Sequence, residues 1–282
     1  MKIAALTCSF NRKEKTVSFL ASLITQPLPA DYSLDIYLLN DNSSDGTSQD
    51  VAKKFPAVKL LSGTGSLYWA GGMRKVWSEA LKDDYDFYIL FNDDVRLSDD
   101  AIPKLISAYD KAEINGAIIL GSVRDFFKKT HTYGGRKVKN WLTGDSEAIL
   151  PDEIALQTAE IGNANIMLVD RKSVEVIGIL SSSFTHGLAD FDYTLRAVKQ
   201  GLKVLVAPGY FGYCTNDHGK TWLSGKVPLK KRIQYLYSPT GLAYKEYLVY
   251  VKSHFPKALP FLYIKLWVKT LFPLIYDWFK KD

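Results

Sequence analysis

Apolar residues in the first third of the chain fall into short continuous runs, each bounded by polar clusters and by segments of helical spacing. Lys2–Leu6 predicts a buried strand, followed by TCSFNR and a helix through about Ile24. Asp35–Leu39 predicts a second strand that runs into NDNSSDGT, then a helix near Ser48–Lys54 and a strand at Val58–Leu61. A helix from about Gly72 to Lys82 precedes the run Phe87–Phe91, which ends in Asn92-Asp93-Asp94. Farther on, strands are expected at Ile118–Gly121, Ile161–Val169 and Lys203–Ala207, and a helix over Asp190–Gln200 with Phe191, Leu195 and Val198 on one face. Strands alternating with helices predict an α/β protein with a mainly parallel sheet covered on both faces.

Such sheets bind ligands beyond the carboxyl ends of their strands, so three polar clusters at strand ends should share one crevice. The DD of FYILFNDDV is placed on a rigid strand end, where oxygen ligands can hold a hard divalent cation and a diphosphate; a polar strand-to-turn boundary would look the same. Asp41 could accept from a nucleobase N–H or a ribose hydroxyl, and Asp45-Gly46-Thr47 reads as a local turn or helix cap. Gly63 to Arg74 combines glycines with Trp69 before a helix, where backbone amides near Gly71, helped by Arg74, could receive phosphate charge. It has neither the P-loop nor the dinucleotide glycine order. At ADFDYTLR, Asp190 opens a helix and could serve as a general base, or could simply cap it, while Asp192 is spaced to pair with Arg196. His218 lies in a loop flanked by Asp217 and Gly219, where a histidine can reach a metal or a diphosphate.

Composition changes the picture in two places. The formal charge of +6 is uneven: residues 1–219 carry 24 Lys and Arg against 27 Asp and Glu, and residues 220–282 carry 12 against 3. A basic stripe on a recognisable nucleic-acid module is absent, so nucleic acid is not an expected partner. The basic, aromatic tail points to an anionic membrane surface instead. Cys8 and Cys214 have no zinc-site spacing and read as reduced core thiols of a cytosolic protein, and the apolar run at the N-terminus is too short for a signal peptide.

TCSFNR, NDNSSDGT, the strand into NDD, and ADFDYTLR followed by KQG and KVLV, in that order, resemble the inverting nucleotide-sugar glycosyltransferases of family 2, of the bacterial surface-polysaccharide type. The resemblance covers about residues 1–220 and implies the GT-A fold, with residues 221–282 as a helical extension. It implies that Thr7, Phe10, Asn11 and Arg12 line the nucleotide pocket with Asp41 at the base. Asn92 and Asp94 match the outer positions of the DxD motif, with Asp93 between them on the donor. Asp94 would bind Mn²⁺ or Mg²⁺, with His218 near the metal. Asp190 would be the catalytic base. Two positions depart from the family: Asn92 replaces the commoner first Asp, and Ala189 stands where a Glu usually precedes the base. Asp192 is the fallback base.

The expected partners are a nucleoside-diphosphate sugar, with UDP or dTDP the first choices and rhamnose, galactose or glucose as the sugar, and a glycan acceptor carried on a lipid at the inner face of the cell membrane. Phe255–Phe279 is rich in aromatic and aliphatic residues, but Lys257, Lys265 and Lys269 interrupt it and Pro260 and Pro273 break it. That pattern predicts an interfacial helix, not a spanning one. A helix around Ile233–Lys252 precedes it, and both could instead pack on the catalytic domain or form a dimer. Two other readings remain at this level: an inert nucleotide-sugar binding module, and a nucleotidyltransferase, which would carry a glycine-rich basic loop where this chain has TCSFNRKEK.

Overall fold

The computed structural model describes residues 1–215 and 223–275. Its first half alternates β1 (Lys2–Ser9), α1 (Lys13–Ile24), β2 (Ser33–Asn40), α2 (Thr47–Lys54), β3 (Lys59–Ser62), α3 (Tyr68–Ala80) and β4 (Phe87–Phe91). In β1, Ile3 and Ala5 face one layer and Ala4, Leu6 and Cys8 the other, the period of two that a strand covered on both faces requires. The α1 residues Phe19, Leu20 and Leu23 cover one face, and Met73, Val76 and Trp77 of α3 cover the other.

Next come β5 (Arg96–Leu97), α4 (Ala101–Ala112), β6 (Ala117–Arg124), β7 (His131–Tyr133), β8 (Gly135–Asn140), β9 (Asp145–Ala148), β10 (Gln157–Thr158), β11 (Ile161–Gly162), β12 (Ile166–Asp170), α5 (Arg171–Ile177), α6 (Ala189–Lys199) and β13 (Lys203–Tyr213). The main sheet runs β10-β13-β6-β12-β4-β1-β2-β3. Pairing is parallel for β1 with β2 and β4, β2 with β3, and β13 with β6; β12 lies antiparallel between β4 and β6. The expected α/β sheet with a parallel body is therefore present, with β12 reversed inside it and the short strands β5, β7 and β10 reversed against β13 and β6. Since β4 and β6 both oppose β12, the carboxyl ends of β1, β2, β4, β6 and β13 share one edge.

Three expected elements differ. The strand over Ile161–Val169 is interrupted at Asn163–Asn165, where the chain turns from β11, in a small second sheet, into β12 of the main one. Helix α3 begins four residues before Gly72, because groups distant in sequence hold its first amides, as shown below. The helix expected around Ile233–Lys252 is two, α7 (Leu229–Tyr237) and α8 (Tyr244–His254), followed by α9 (Leu259–Leu271). Pro239 lacks a donor for a continued helix, and at Gly241 a Cβ would stand 2.1 Å from the Tyr235 carbonyl oxygen.

The C-terminal helices pack on the sheet half. Tyr250, Val251 and Phe255 belong to the same core as α3 and α6, and α9 buries Leu262, Leu266 and Thr270. No described helix is long and apolar enough to cross a membrane. Both cysteines are buried and free.

Candidate active site

The site is assembled at the carboxyl edge, where β1 and β4 are neighbours and their following loops diverge. Asn11 has φ 51°, and its side-chain oxygen accepts the Ser44 N–H at 2.8 Å while its own N–H donates to Ser43 Oγ at 2.8 Å. The TCSFNR and NDNSSDGT loops are thus tied together. Phe10 stays half exposed at their rim. The Thr7 hydroxyl is buried and has no hydrogen-bond partner among the described residues.

Arg12 reaches from the start of α1 to the end of β4. Its Nη1 lies 3.0 Å from Asp94 Oδ2 and 3.4 Å from Asp93 Oδ1, and Lys15 Nζ lies 3.8 Å from Asp94. The two aspartates differ in burial. Asp93 is buried, takes the Thr16 hydroxyl at 3.1 Å, and has its pKa raised because burial outweighs the nearby Arg12 charge. Asp94 lies at the mouth, on a cavity of about 290 Å³ shared with Lys15, Arg96 and Thr215. Asn92 is held by its backbone, whose N–H donates to the Asn165 carbonyl at 3.3 Å.

Asp41 is 3% exposed and its carboxylate is largely engaged within the protein. It accepts the N–H groups of Gly65 at 2.7 Å, Leu67 at 2.8 Å and Tyr68 at 3.3 Å. A carboxylate has about four acceptor positions, so roughly one is left for a donor molecule. Gly63 permits this approach, since a Cβ there would fall 2.2 Å from Asp41 Oδ1.

The phosphate cradle expected at α3 takes another form. The Ala70 and Gly71 N–H groups donate to the Thr185 carbonyl, and Arg74 Nη1 donates to the carbonyls of Ser181 at 2.8 Å and Phe184 at 2.6 Å. Both features bind the segment that leads to Asp190, because carbonyls of a neighbouring loop reach the amides and guanidinium first. Trp69 is half-buried, its carbonyl accepts from Cys8 Sγ at 3.5 Å, and its indole Nε1 is buried without a partner among the described residues.

Asp190 stands in the first turn of α6, after Leu188 at φ 66°. Burial pushes its pKa up to about 6, although hydrogen bonds from Ala164 N–H at 3.2 Å and Phe191 N–H at 2.9 Å favour the charged form. Asp192 points away, as its spacing implied, and its carboxylate is spent on Arg196 and His254, each at 2.8 Å. It is therefore not available as a fallback base. His218 lies outside the described residues.

One short turn connects the two halves of the site. Ala164 N–H binds Asp190, Asn165 C=O takes the Asn92 amide, and Asn165 Nδ2 contacts Cys214 Sγ at 3.6 Å, itself 3.6 Å from Asp94 Oδ1. Sequence reading missed this turn because Ile161–Val169 looks like one apolar strand, although the two asparagines inside it were a signal. It also missed Glu246 of α8, which accepts the Thr185 N–H at 3.0 Å and so reaches the loop that leads to Asp190 from the C-terminal helices.

Among the described residues no three His, Cys, Asp or Glu side chains converge, so an all-protein cage is not formed. A single mouth carboxylate such as Asp94, paired here with the half-exposed Arg12 and Lys15, matches the donor type of Mg²⁺, which binds through one or two carboxylates and substrate phosphates, and of Mn²⁺, which favours the same oxygen ligands.

Solved structures share this architecture. S. aureus TarS 1-349 superposes with TM-score 0.55 at 13% identity, covering 90% of this chain and 72% of that one. The mannosyltransferase PcManGT from Pyrobaculum calidifontis, solved with GDP-Man and Mn²⁺, gives 0.56 at 14% identity, covering 98% and 82%. TarS 1-349 in complex with UDP-GlcNAc gives 0.52 at 14%, covering 90% and 73%. At such identities the likeness establishes the fold, GT-A. No curated protein sequence matches the chain. The family model for glycosyl transferase family 2 matches residues 5–167, more than half the sequence, and the chain belongs to that family.

Proposed function

We propose that the protein is an inverting glycosyltransferase that moves a sugar from a nucleoside diphosphate to a hydroxyl of a glycan acceptor. The observation that carries this reading is the turn Asn163–Asn165, which holds a half-buried carboxylate of pKa about 6 on one side and the Asn92-Asp93-Asp94 strand end on the other. A base with a pKa near the working pH combines a useful ionised fraction with driving force for proton removal.

Asp190 takes the proton of the acceptor hydroxyl as its oxygen attacks the anomeric carbon. The bond from that carbon to the diphosphate oxygen breaks on the opposite face, and the configuration inverts. Arg12 and Lys15 stand beside Asp94, where negative charge on the leaving diphosphate collects. A Mn²⁺ or Mg²⁺ ion held by Asp94, and by His218, would add Lewis-acid stabilisation of that leaving group. Phe10, Asn11, Thr7 and Asp41 line the pocket for the nucleoside, with Asp41 offering its remaining acceptor position. Uridine and thymidine diphosphate sugars, dTDP-rhamnose among them, are the assigned donors. The assigned acceptor is a lipid-linked glycan of a cell-surface polysaccharide at the inner membrane face, a reading supported by the basic C-terminal helices.

The test is release of nucleoside diphosphate from UDP-, dTDP- and GDP-sugars, with Mn²⁺ or with chelator. Release from one donor, lost on Asp190→Asn, is the expected result. The absence of Glu at position 189 favours a second reading, a binding module without turnover, and that reading holds if a donor binds but no nucleoside diphosphate is released in the presence of acceptor extracts.

A further inference from the structure

Surface helices usually bury an apolar stripe and turn polar residues outward, whereas α9 is apolar on both sides. Its inner side is Leu262, Leu266 and Thr270, all buried. On the opposite side, Phe261 is 67% exposed, Ile264 63% and Leu271 41%, with Val268 half-exposed between them. These positions recur every three or four residues, so they form one continuous outward stripe. Exposed Phe272, Leu274 and Ile275 extend it beyond the helix end.

Cations edge the stripe. Lys265 Nζ lies 5.9 Å from the centre of the Phe261 ring, which places an ammonium directly on the apolar face. Lys257 is exposed one turn before Phe261, and Lys230 and Lys231 are exposed on α7, the helix packed against α9. Residues 220–282 carry 12 Lys and Arg against 3 Asp and Glu.

We propose that the outward face of α9 docks on the surface of an anionic phospholipid bilayer. Aliphatic and aromatic side chains that fan outward beside lysines match an acyl boundary overlaid by negative headgroups. A second copy of the chain is a poorer occupant. An isologous contact would set this face against itself and bring Lys265 of each copy onto the same patch. No described helix can span, so the helix lies in the interface plane. Helix α8 connects this face to the base-bearing loop through Glu246 and Thr185, which would hold the crevice at a set orientation to lipid-borne substrates.

The test is sedimentation of the full chain with vesicles of phosphatidylglycerol and phosphatidylcholine, and with vesicles of phosphatidylcholine alone. Pelleting with the anionic vesicles, weakened by salt, is expected. The pair Phe261→Ser and Ile264→Ser faces solvent, so its near-ultraviolet circular dichroism should match the parent while partition falls by about tenfold or more. Lys265→Glu should weaken binding to the anionic vesicles. A parent that stays in the supernatant, a double variant that pellets like the parent, or equal binding to both vesicle types overturns the proposal. So does a dimer in sedimentation velocity that the double variant abolishes, since a second copy then covers the stripe. No arm reads turnover, so failure here is separable from failure of the reaction assigned above.

Discussion

His254 Nε2 of α8 lies 2.8 Å from Oδ1 of Asp192 in α6, and the other oxygen of that carboxylate takes Arg196 Nε at 2.8 Å. Two residues from the candidate base, a buried cluster of Asp192, Arg196 and His254 ties the C-terminal helices to the sheet half. Burial disfavours the Asp192 charge, but the bonds from His254 and Arg196 prevail and bring its pKa below the ordinary value of 3.8.

Removing one member of such a cluster leaves its partners desolvated and unmatched. Asp192→Ala should cost about 3–5 kcal/mol in urea unfolding. A carboxyl with a depressed folded pKa contributes stability above its unfolded value, 3.8, and loses it as pH falls through the folded one. The difference in stability between parent and variant should therefore be full at neutral pH and shrink below about pH 4.

Asp190 has the opposite sign. Its folded pKa of about 6 lies above the unfolded 3.8, so the native state holds the extra proton between those values and stability declines as pH rises across that window. Activity follows the ionised form, so kcat/KM should fall about tenfold per unit on the acid side of pH 6. Asp190→Asn should lower turnover by about 10²–10⁴-fold while donor affinity changes little, which isothermal titration and product release measure separately. The variant should also lose the stability slope between pH 4 and 6.

Asp93 and Asp94 are adjacent but should respond differently to substitution. Asp94→Asn, at the mouth, should raise the Mn²⁺ needed for half-maximal release and leave the melting temperature near that of the parent. Asp93→Ala removes a buried acceptor from Thr16 and Arg12 and should cost about 1–3 kcal/mol of stability. Thermal melts and metal titrations of the two variants should sort in opposite order.

Gly63→Ala tests the Asp41 anchor. A methyl group 2.2 Å from Asp41 Oδ1 must displace the carboxylate from the amides of Gly65 and Leu67. The expected loss is about 1–3 kcal/mol in thermal unfolding, the range for overpacking, together with weaker UDP binding if Asp41 serves the nucleoside as proposed. Unchanged UDP affinity in a destabilised variant would mean that Asp41 serves the loop alone.

Glu246→Gln examines a residue that touches no reacting atom. It should weaken the hold on the Thr185 N–H and reduce kcat several-fold, with donor affinity preserved, and Glu246→Asp, which keeps the carboxylate, should lose less. An equal fall in donor affinity would assign Glu246 to the fold.

The first half of the fold was legible because its signals are local. Ile3–Leu6 and Phe87–Phe91 are apolar on consecutive positions, and such runs must lie in a sheet covered on both faces, whatever surrounds them. Asp94 was legible as a candidate because it follows the apolar strand Phe87–Phe91, and Asp190 because it opens the helix marked by Phe191, Leu195 and Val198. The roles of Arg74 and Asp41 were not. Arg74 and the α3 amides looked available to phosphate, but Ser181, Phe184 and Thr185 reach them across more than a hundred residues of sequence.

By itself, then, the sequence determined the alternation of strands and helices, the placement of polar clusters at strand ends, and the basic, aromatic character of the tail. Hydrophobic periodicity and charge are properties of neighbouring residues and need no partner to be expressed. Tertiary structure alone decided which polar group meets which. It sent Asp192 to His254, left Asp190 to the turn at Asn163–Asn165, and turned the apolar stripe of α9 outward. Hydrogen bonds and burial depend on distances between segments far apart in the chain, and those distances exist only once the sheet has brought the segments together.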